Sequence, residues 1–195
     1  MKLTKIITWA LVPVILFMSY FLYASIKDRI DQIETIKNVE AKVIEKLKII
    51  REAEIAYLSV NGNYTSNWDS LAKFIESGKF YILDKKEQSE LTSYGAENIK
   101  VVIDTVGVIS VKDSLFPATK YPNLDVANLS TVPGSGKKFN IYADEIEKNG
   151  IKIDVLEVSD PAPVNPDRKE SNEALNKKPL RIGSREDVTT GGNWE

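Results

Sequence analysis

Residues 6–24 read IITWALVPVILFMSYFLYA, an apolar run of 19 residues without a charged side chain. A helix needs about 20 apolar residues to cross a hydrocarbon core about 30 Å thick. Trp9 lies near one end of the run, and Tyr20 and Tyr23 lie near the other, where aromatic rings favour the membrane interface. A proline is tolerated in the first turns of a span, so Pro13 fits. We therefore predict a transmembrane helix marked by Ile6, Trp9, Pro13, Phe17, Tyr20 and Tyr23.

Basic residues flank the predicted span almost equally, and they bear on its orientation. Lys2 and Lys5 precede it without an acidic residue between them, whereas Lys27 and Arg29 follow it among aspartates. The positive-inside rule counts basic residues, and with two on each side of the span it gives almost no preference for either orientation. The short head and the free amino terminus favour a cytoplasmic N-terminus. We expect a single-pass protein of a bacterial inner membrane, with its C-terminal domain in the periplasm.

A cleaved signal peptide is the competing interpretation of the same run. Signal peptides have an apolar region of about 7 to 15 residues and small residues before the cleavage site. Here the apolar run is longer, and bulky Leu22 stands three positions before a cut after Ala24. Both features favour an uncleaved anchor over a signal peptide.

The chain from residue 26 to about residue 60 has the composition of a long helix. It contains no glycine and no proline and is rich in Glu, Lys, Ile and Ala, which suit helices. No residue just after Ala24 would break a helix, so this helix is expected to continue directly from the span. From residue 26 to about residue 60 it would be about 50 Å long. Its apolar residues recur at steps of three and four, near the heptad period of 3.5: Ile26, Ile30, Ile33, Ile36, Val39, Val43, Leu47 and Ile50.

Two interpretations of this apolar stripe are open. It is either a spacer that packs on the sheet of its own domain, or a coiled coil or contact with partner helices. After Val43 we favour packing on the chain's own domain. From Ile26 to Val39 no neighbouring segment of the chain would cover the stripe, so a partner is equally expected there.

The helix ends in a segment that carries a resemblance to a known family. Residues 51–66 read REAEIAYLSVNGNYTS, in which Asn61 and Gly62 form a helix stop, since glycine adopts the left-handed conformation at little cost. A membrane helix with a long extension, an Ala/Tyr-rich helix end, Asn-Gly-x-Tyr and a leucine-bearing stretch also occur in the pseudopilins of type II secretion systems and type IV pili. The chain resembles this family at Ala53, Tyr57, Asn61, Gly62, Tyr64 and Leu71.

The resemblance implies a strand-rich domain packed on the helix and a role in an envelope assembly. The chain departs from the family pattern, because it has no glycine before a phenylalanine near the span and no glutamate before Glu34. The resemblance therefore implies a subunit that prepilin peptidase does not process and that does not polymerise by pairing a terminal amine with a glutamate. Helix termination and core packing also account for Tyr57, Gly62 and Tyr64, and they weigh more than a binding role.

The remaining domain is predicted to be rich in antiparallel strands. Asn149-Gly150, flanked by alternating apolar residues, is the strongest two-residue hairpin signal in the chain. A second hairpin is predicted around Thr105-Val-Gly107, and a polar loop is predicted at 84–97. The predicted strands are 79–83, 99–103, 108–111, 139–148 and 151–158, and a turn or short helix is predicted at 124–129. The predicted fold class is α+β, a transmembrane helix that continues into a long helix packed on a small antiparallel sheet of four or five strands.

The last 35 residues, 161–195, are rich in Pro, Asn, Lys, Asp and Glu, and two interpretations of them are equally weighted. Such a composition is typical of a disordered tail. A docking segment that adds a strand to a partner or to the chain's own sheet is the alternative. Trp194, which follows two glycines and an asparagine, is the candidate anchor of such a segment.

Composition excludes several classes of function. The chain has no cysteine and no histidine, which removes thiolate chemistry, Ser-His and Cys-His pairs and most transition-metal sites. The net charge of -2 gives no basic surplus for a nucleic acid. Residues 133–138, PGSGKK, lack the first glycine and the final Ser or Thr of a phosphate-binding loop. The acidic residues Asp144, Glu145 and Glu147 do not have the spacing of a calcium loop.

These observations predict a protein that is not an enzyme and that has no cofactor. Its predicted parts are a head and anchor at 1–25, a helical stalk at 26–60, an extracytoplasmic α+β domain at 61–160 and a tail at 161–195. The first functional hypothesis is a scaffold or assembly subunit of a pilus-like, secretion or motility machine. Its predicted partners are the lipid bilayer and, through the span and stalk, other envelope proteins or itself, but no nucleic acid. The alternative is a membrane-tethered binding module for a peptide or glycan.

Overall fold

A computed structural model describes residues 2–91, 97–175 and 177–195 of the 195-residue chain. Within these ranges, side chains are described for 9–86, 103–172, 174–175 and 177–195. The fold class is α+β, as the sequence predicts: one long N-terminal helix and two small antiparallel sheets.

Helix α1 runs without interruption from Lys2–Asn61 and contains Pro13. It ends where the sequence places a stop, because Gly62 has φ of +83° and its N–H donates to the carbonyl of Leu58 at 2.8 Å. In the part of the chain that the structure describes, α1 holds the one helical segment that is long and apolar enough to cross a membrane. The membrane window of that segment is not covered by the rest of the chain.

Helix α2, Trp68–Ser77, folds back against the end of α1. The side chain of Asn67 caps its first turn by accepting hydrogen bonds from the N–H groups of Asp69 and Ser70. Leu71 and Ile75 are buried, and the rings of Tyr57 and Phe74 meet edge to face with centroids 5.1 Å apart.

The first sheet is a long hairpin of β1, Lys79–Leu91, and β2, Glu97–Ser110, and it corrects two of our predictions. Residues 84–91 are strand rather than loop, and the hairpin predicted around Thr105-Val-Gly107 is wrong. A register shift opposite Ile82 and Leu83 places an extra residue in β2, so Thr105 and Gly107 stay within one strand. A bulge with glycine beside it mimics a turn signal in the sequence. Helix α3, Val111–Leu115, follows β2.

The second sheet has the order β3, β4, β5, with strands Asn140–Lys148, Ile151–Ser159 and Arg181–Gly183. The predicted turn between β3 and β4 is confirmed, since Asn149 and Gly150 have φ of 56° and 77°. A short helix α4, Pro166–Lys169, and a 3-10 turn, Glu173–Leu175, lie between β4 and β5. Within the segment 124–129, for which the sequence predicts a turn or short helix, residues 127–129 form a turn.

One core joins α1, α2, the loop 116–139 and the second sheet. Its buried side chains include Val43, Leu47, Ile50, Ala53, Leu71, Ile75, Phe116, Val126, Leu129, Val132, Phe139, Leu156, Val158, Leu180 and Ile182. The apolar residues of α1 from Val43 onward, Val43, Leu47 and Ile50, are therefore covered by the chain's own domain, as we expected.

The C-terminal segment packs on this core in the structure. Strand β5 pairs with β4, and residues 191–193 then pair back onto β5, where the N–H of Asn193 donates to the carbonyl of Arg181 at 3.0 Å. Trp194 packs against the core, and the carboxylate of Glu195 accepts from the guanidinium of Arg51 at 2.8 Å. Of the two interpretations of the tail, the structure shows the chain's own sheet as its docking place.

Candidate functional site

Helix α1 divides into three lengths according to what surrounds it. Residues 9–23 are exposed, and so is nearly all of 25–38, whereas residues from Val39 onward pack on the domain. Within the middle length, Ile26, Ile30 and Ile33 are 52%, 57% and 65% exposed. These three isoleucines form an apolar surface, the stalk stripe, for which the rest of the described chain offers no cover.

The lower edge of the domain meets α1 at Val39 and Glu40. The turn built from residues 133–136 places Gly134 against the side chain of Val39, so that an added Cβ there would lie 3.0 Å from Val39 Cγ1. The carboxylate of Glu40 accepts from Arg168 Nε at 2.7 Å and from Asn165 Nδ2 at 3.0 Å. The phosphate-loop-like sequence is therefore a packing turn at the base of the domain.

This junction sets the distance along α1 between the candidate span and the domain. Residues 25–38 of α1 carry no domain contact apart from partial cover at Ile36, and a helix rises 1.5 Å per residue, so the stalk is about 21 Å long. The domain thus begins about 21 Å along the helix from the candidate span, and a partner of ordinary helix diameter has room beside the stalk.

The stalk stripe lies on a different face of α1 from the face that binds the domain. With 3.6 residues per turn, the mean direction of Ile26, Ile30 and Ile33 lies roughly 100° around the helix axis from that of Val43, Leu47 and Ile50. The domain therefore sits to one side of the stripe and does not overhang it.

Polar contacts pin the upper half of α1 to the domain. The ammonium group of Lys46 donates to the backbone carbonyls of Asn128 and Thr131 at 2.6 and 2.7 Å, and partial burial lowers its pKa. Ion pairs between side chains that are largely shielded, such as Glu40 and Arg168, hold position better than exposed pairs. The helix and the domain consequently form one unit from Val39 upward.

Glu54 is a feature of α1 that our reading of the sequence missed. Its side chain is 0% exposed, one carboxyl oxygen accepts from the N–H of Thr65 at 3.1 Å, and the other has no hydrogen-bond partner. Burial raises the pKa of Glu54 to about 8, an effect that the Thr65 bond only partly offsets. Burial also raises the pKa of the nearby Tyr64, with smaller contributions from Glu54 and Asp154. A signal was present, because Glu54 continues the spacing of Val43, Leu47 and Ile50.

The family-like residues form the junction between α1 and α2. Ala53 and Leu71 are fully buried, whereas Tyr57 and Tyr64 are half-buried against the core. Asn61 Nδ2 donates to the carbonyl of Tyr57 at 3.1 Å and closes the helix end beside Gly62. These residues terminate a helix and pack a core.

Other surfaces of the described residues are also open to ligands or partners. A groove of about 610 Å³ lies between α1 and the loop 120–133, and it is lined by Lys42, Lys46, Ile49, Lys120, Tyr121 and Leu124 among others. The β1–β2 hairpin exposes Tyr81, Leu83, Val106 and Val108.

Acidic residues do not converge on a metal site in the described part of the chain. Glu145 pairs with Lys152 at 2.7 Å, and Asp144 accepts from the hydroxyl of Tyr142 at 3.1 Å. No group of three metal-ligating side chains occurs among the described residues.

Comparisons with protein-family models, with curated proteins and with solved structures each return no match for the chain. The stalk stripe is the site that the geometry singles out, because it is apolar, exposed and placed between a candidate membrane span and a firmly held domain.

Proposed function

We propose that the protein is a non-enzymatic assembly subunit, anchored by one span in a bacterial inner membrane with its domain in the periplasm. It holds its domain about 21 Å from the bilayer and joins a pilus-like, secretion or motility machine through its span and stalk. The observation that carries the proposal is the exposed stalk stripe, Ile26, Ile30 and Ile33, which lies outside the chain's own core.

Covering the stripe would stabilise a complex appreciably. Fully burying one isoleucine contributes about 1.5 to 3 kcal/mol, and these three are each at least half exposed. Their burial therefore supplies about 3 kcal/mol, to which packing of the span adds. That amount suits association within a membrane, where neighbouring chains are already concentrated and aligned.

The resemblance to pseudopilins supports the class of machine. The shared features are the layout of span, stalk and strand-rich domain, together with the junction at Tyr57, Gly62 and Tyr64. The absence of glutamate before Glu34 distinguishes the proposed subunit from those that polymerise through a glutamate of the membrane helix.

A membrane-tethered binding module is the second candidate, and the groove beside α1 favours it. Its lining combines the apolar surfaces of Ile49, Tyr121 and Leu124 with the cations of Lys42 and Lys120, which is the mixture that a peptide or glycan would need. A module of this kind would bind its ligand without contacts through the stalk.

Site-specific photocrosslinking in the native membrane tests the proposal. A benzophenone side chain is placed singly at Ile26, Ile30 or Ile33, and Asp28, on the opposite side of the helix, serves as the matched control position. The proposal expects a defined protein adduct from the stripe and none from Asp28. If the stripe and the control behave alike, and the protein still binds a peptide or glycan at the groove, the binding module replaces the assembly subunit.

A further inference from the structure

We propose that the partner of the stalk stripe is a second copy of this chain, aligned parallel and in register, with Arg29 of one copy paired to Glu34 of the next. The inference deepens the proposed function and rests on it, because it names the partner of the same surface. It starts from the charges that border the stripe.

The stripe has the spacing of a coiled-coil seam. Steps of four and three from Ile26 to Ile30 to Ile33 place them at the heptad positions d, a and d. The same frame continues down into the span through Tyr23, Ser19, Leu16, Val12 and Trp9, and none of these is buried by the chain itself. A seam of three layers in the stalk is short, but here it extends a helix pair that would already be aligned in the membrane.

The seam ends where the domain begins. The next a position is Lys37 and the next d position is Glu40, whose carboxylate is already held by Arg168 at 2.7 Å. A lysine or asparagine at a single a position is a device that fixes the register of a coiled coil. The helices are therefore expected to separate at Lys37, and each is then free to carry its own domain.

Charge complementarity points to a copy of the same chain. In this frame Arg29 occupies a g position and Glu34 occupies the e position of the following heptad. In parallel coiled coils a g residue meets the e residue five positions further along the neighbouring helix, and such pairs set partner and orientation. Arg29 and Glu34 have opposite charges, so each contact between identical copies would gain two symmetric attractive pairs.

Within the described chain neither residue has another use. Both Arg29 and Glu34 are exposed, and neither side chain makes a hydrogen bond or ion pair with any described residue. Five positions along a helix are roughly 140° apart, so the two side chains do not meet each other within one helix. An antiparallel pair would bring like charges together, and helices that cross one membrane in the same sense are parallel by construction.

A charge-swap experiment on the full chain tests the inference. The chain has no cysteine, so a single Ile26→Cys substitution at a d position reports contact between copies through disulfide formation in liposomes of phosphatidylethanolamine and phosphatidylglycerol. Arg29→Glu or Glu34→Arg alone turns both attractive pairs into repulsive ones and should lower the association constant about tenfold. The double variant Arg29→Glu/Glu34→Arg should restore it to within about twofold.

The control is Asp28→Arg, which makes the same charge change as Glu34→Arg on the side of the helix away from the stripe. Association should stay within about twofold of the parent chain in this variant. Loss of crosslinking in both single reversals with recovery in the double variant supports the parallel pair. Unchanged crosslinking in the single reversals, or no recovery in the double variant, overturns it.

The assembly role and the identity of the partner are tested separately. If the benzophenone at Ile30 captures only a different protein in the native membrane, the assembly subunit stands and the second copy is wrong. If it captures no protein and Ile26→Cys forms no disulfide in liposomes, both the proposed function and the second-copy partner are wrong.

Discussion

Replacing Glu54 by glutamine should remove most of the pH dependence of the domain's stability. Glu54 is fully buried, and its pKa is raised to about 8 from an ordinary value of 4.5 because burial disfavours the carboxylate. The folded state therefore keeps a proton that the unfolded state releases between pH 4.5 and 8. A carboxyl group whose pKa is raised by folding stabilises the fold fully when the pH is below the pKa of the unfolded state. That stabilisation is lost as the pH rises to the pKa of the folded state.

The size of the effect follows from the two pKa values. Their difference of about 3.5 corresponds to about 5 kcal/mol at about 1.4 kcal/mol for each pKa unit. The free energy of unfolding should fall by about 1.4 kcal/mol per pH unit across this range. Glutamine keeps an acceptor for the Thr65 N–H. Its amide NH2 group takes the place of the carboxyl oxygen that has no hydrogen-bond partner, so this group is unpaired as well. Burying the unpaired amide costs about 1 to 3 kcal/mol at every pH.

Comparing how the free energy of unfolding of the parent chain and of Glu54→Gln changes with pH is therefore a sharper test than comparing the two at a single pH. Relative to the parent chain, Glu54→Gln should be somewhat less stable at pH 5 and more stable at pH 8.5, a swing of about 4 to 5 kcal/mol. Urea unfolding in detergent, followed by the fluorescence of Trp68 and Trp194, measures both curves. Glu45→Gln, which removes an exposed carboxyl from the same helix, should leave the slope unchanged. Parallel curves for Glu54→Gln and the parent from pH 5 to 8.5 would refute the reasoning.

Three further substitutions and one matched control, Gly136→Ala, test how the domain is held together, each by urea unfolding. Trp194→Ala should destabilise the domain by about 3 kcal/mol because the indole packs on the core, and an equally stable variant would mean that the C-terminal segment is not docked. Gly183→Ala should cost about 3 kcal/mol, since φ is +72° and an added Cβ would collide with the Leu156 carbonyl. Gly136→Ala, with φ of +68° and open space around it, should cost only about 1 kcal/mol, and equal losses would contradict the collision. Glu40→Gln should cost about 1 to 2 kcal/mol and speed hydrogen exchange at residues 38–44, whereas unchanged exchange would show that Arg168 does not fasten the base of the domain.

The sequence was most informative where the determinants are local. Asn149-Gly150 specifies a tight turn locally, because both residues tolerate positive φ, and the structure has the turn there. Gly62 ends α1 for the same kind of reason. The apolar spacing of Val43, Leu47 and Ile50 likewise predicts a buried helix face, since one periodicity places all three on one side.

The sequence was least informative where distant segments decide the outcome. Thr105-Val-Gly107 looks like a turn, yet it forms part of a strand because β1 supplies a partner for the whole length of β2. The tail at 161–195 has a disordered composition, yet Leu180 and Ile182 find cover on α1 and β4. Glu54 continues the apolar spacing of α1, yet a glutamate also suits an exposed helix face, and its burial depends on distant contacts such as the N–H of Thr65.

The continuous helix α1 also fixes how the domain is oriented relative to the stalk stripe. Between residues 26 and 61 α1 contains neither proline nor glycine, so each turn is fixed to the next by backbone hydrogen bonds and the direction of the stalk fixes that of the domain. The domain is fastened to this helix at Glu40, Lys46 and Arg51, so it must turn with it. If the stalk stripes of two copies face each other, each domain is then held about 100° around the helix from the contact, so the domains lie to the side of the paired stalks. The face of the domain opposite α1 is thereby left open to a partner.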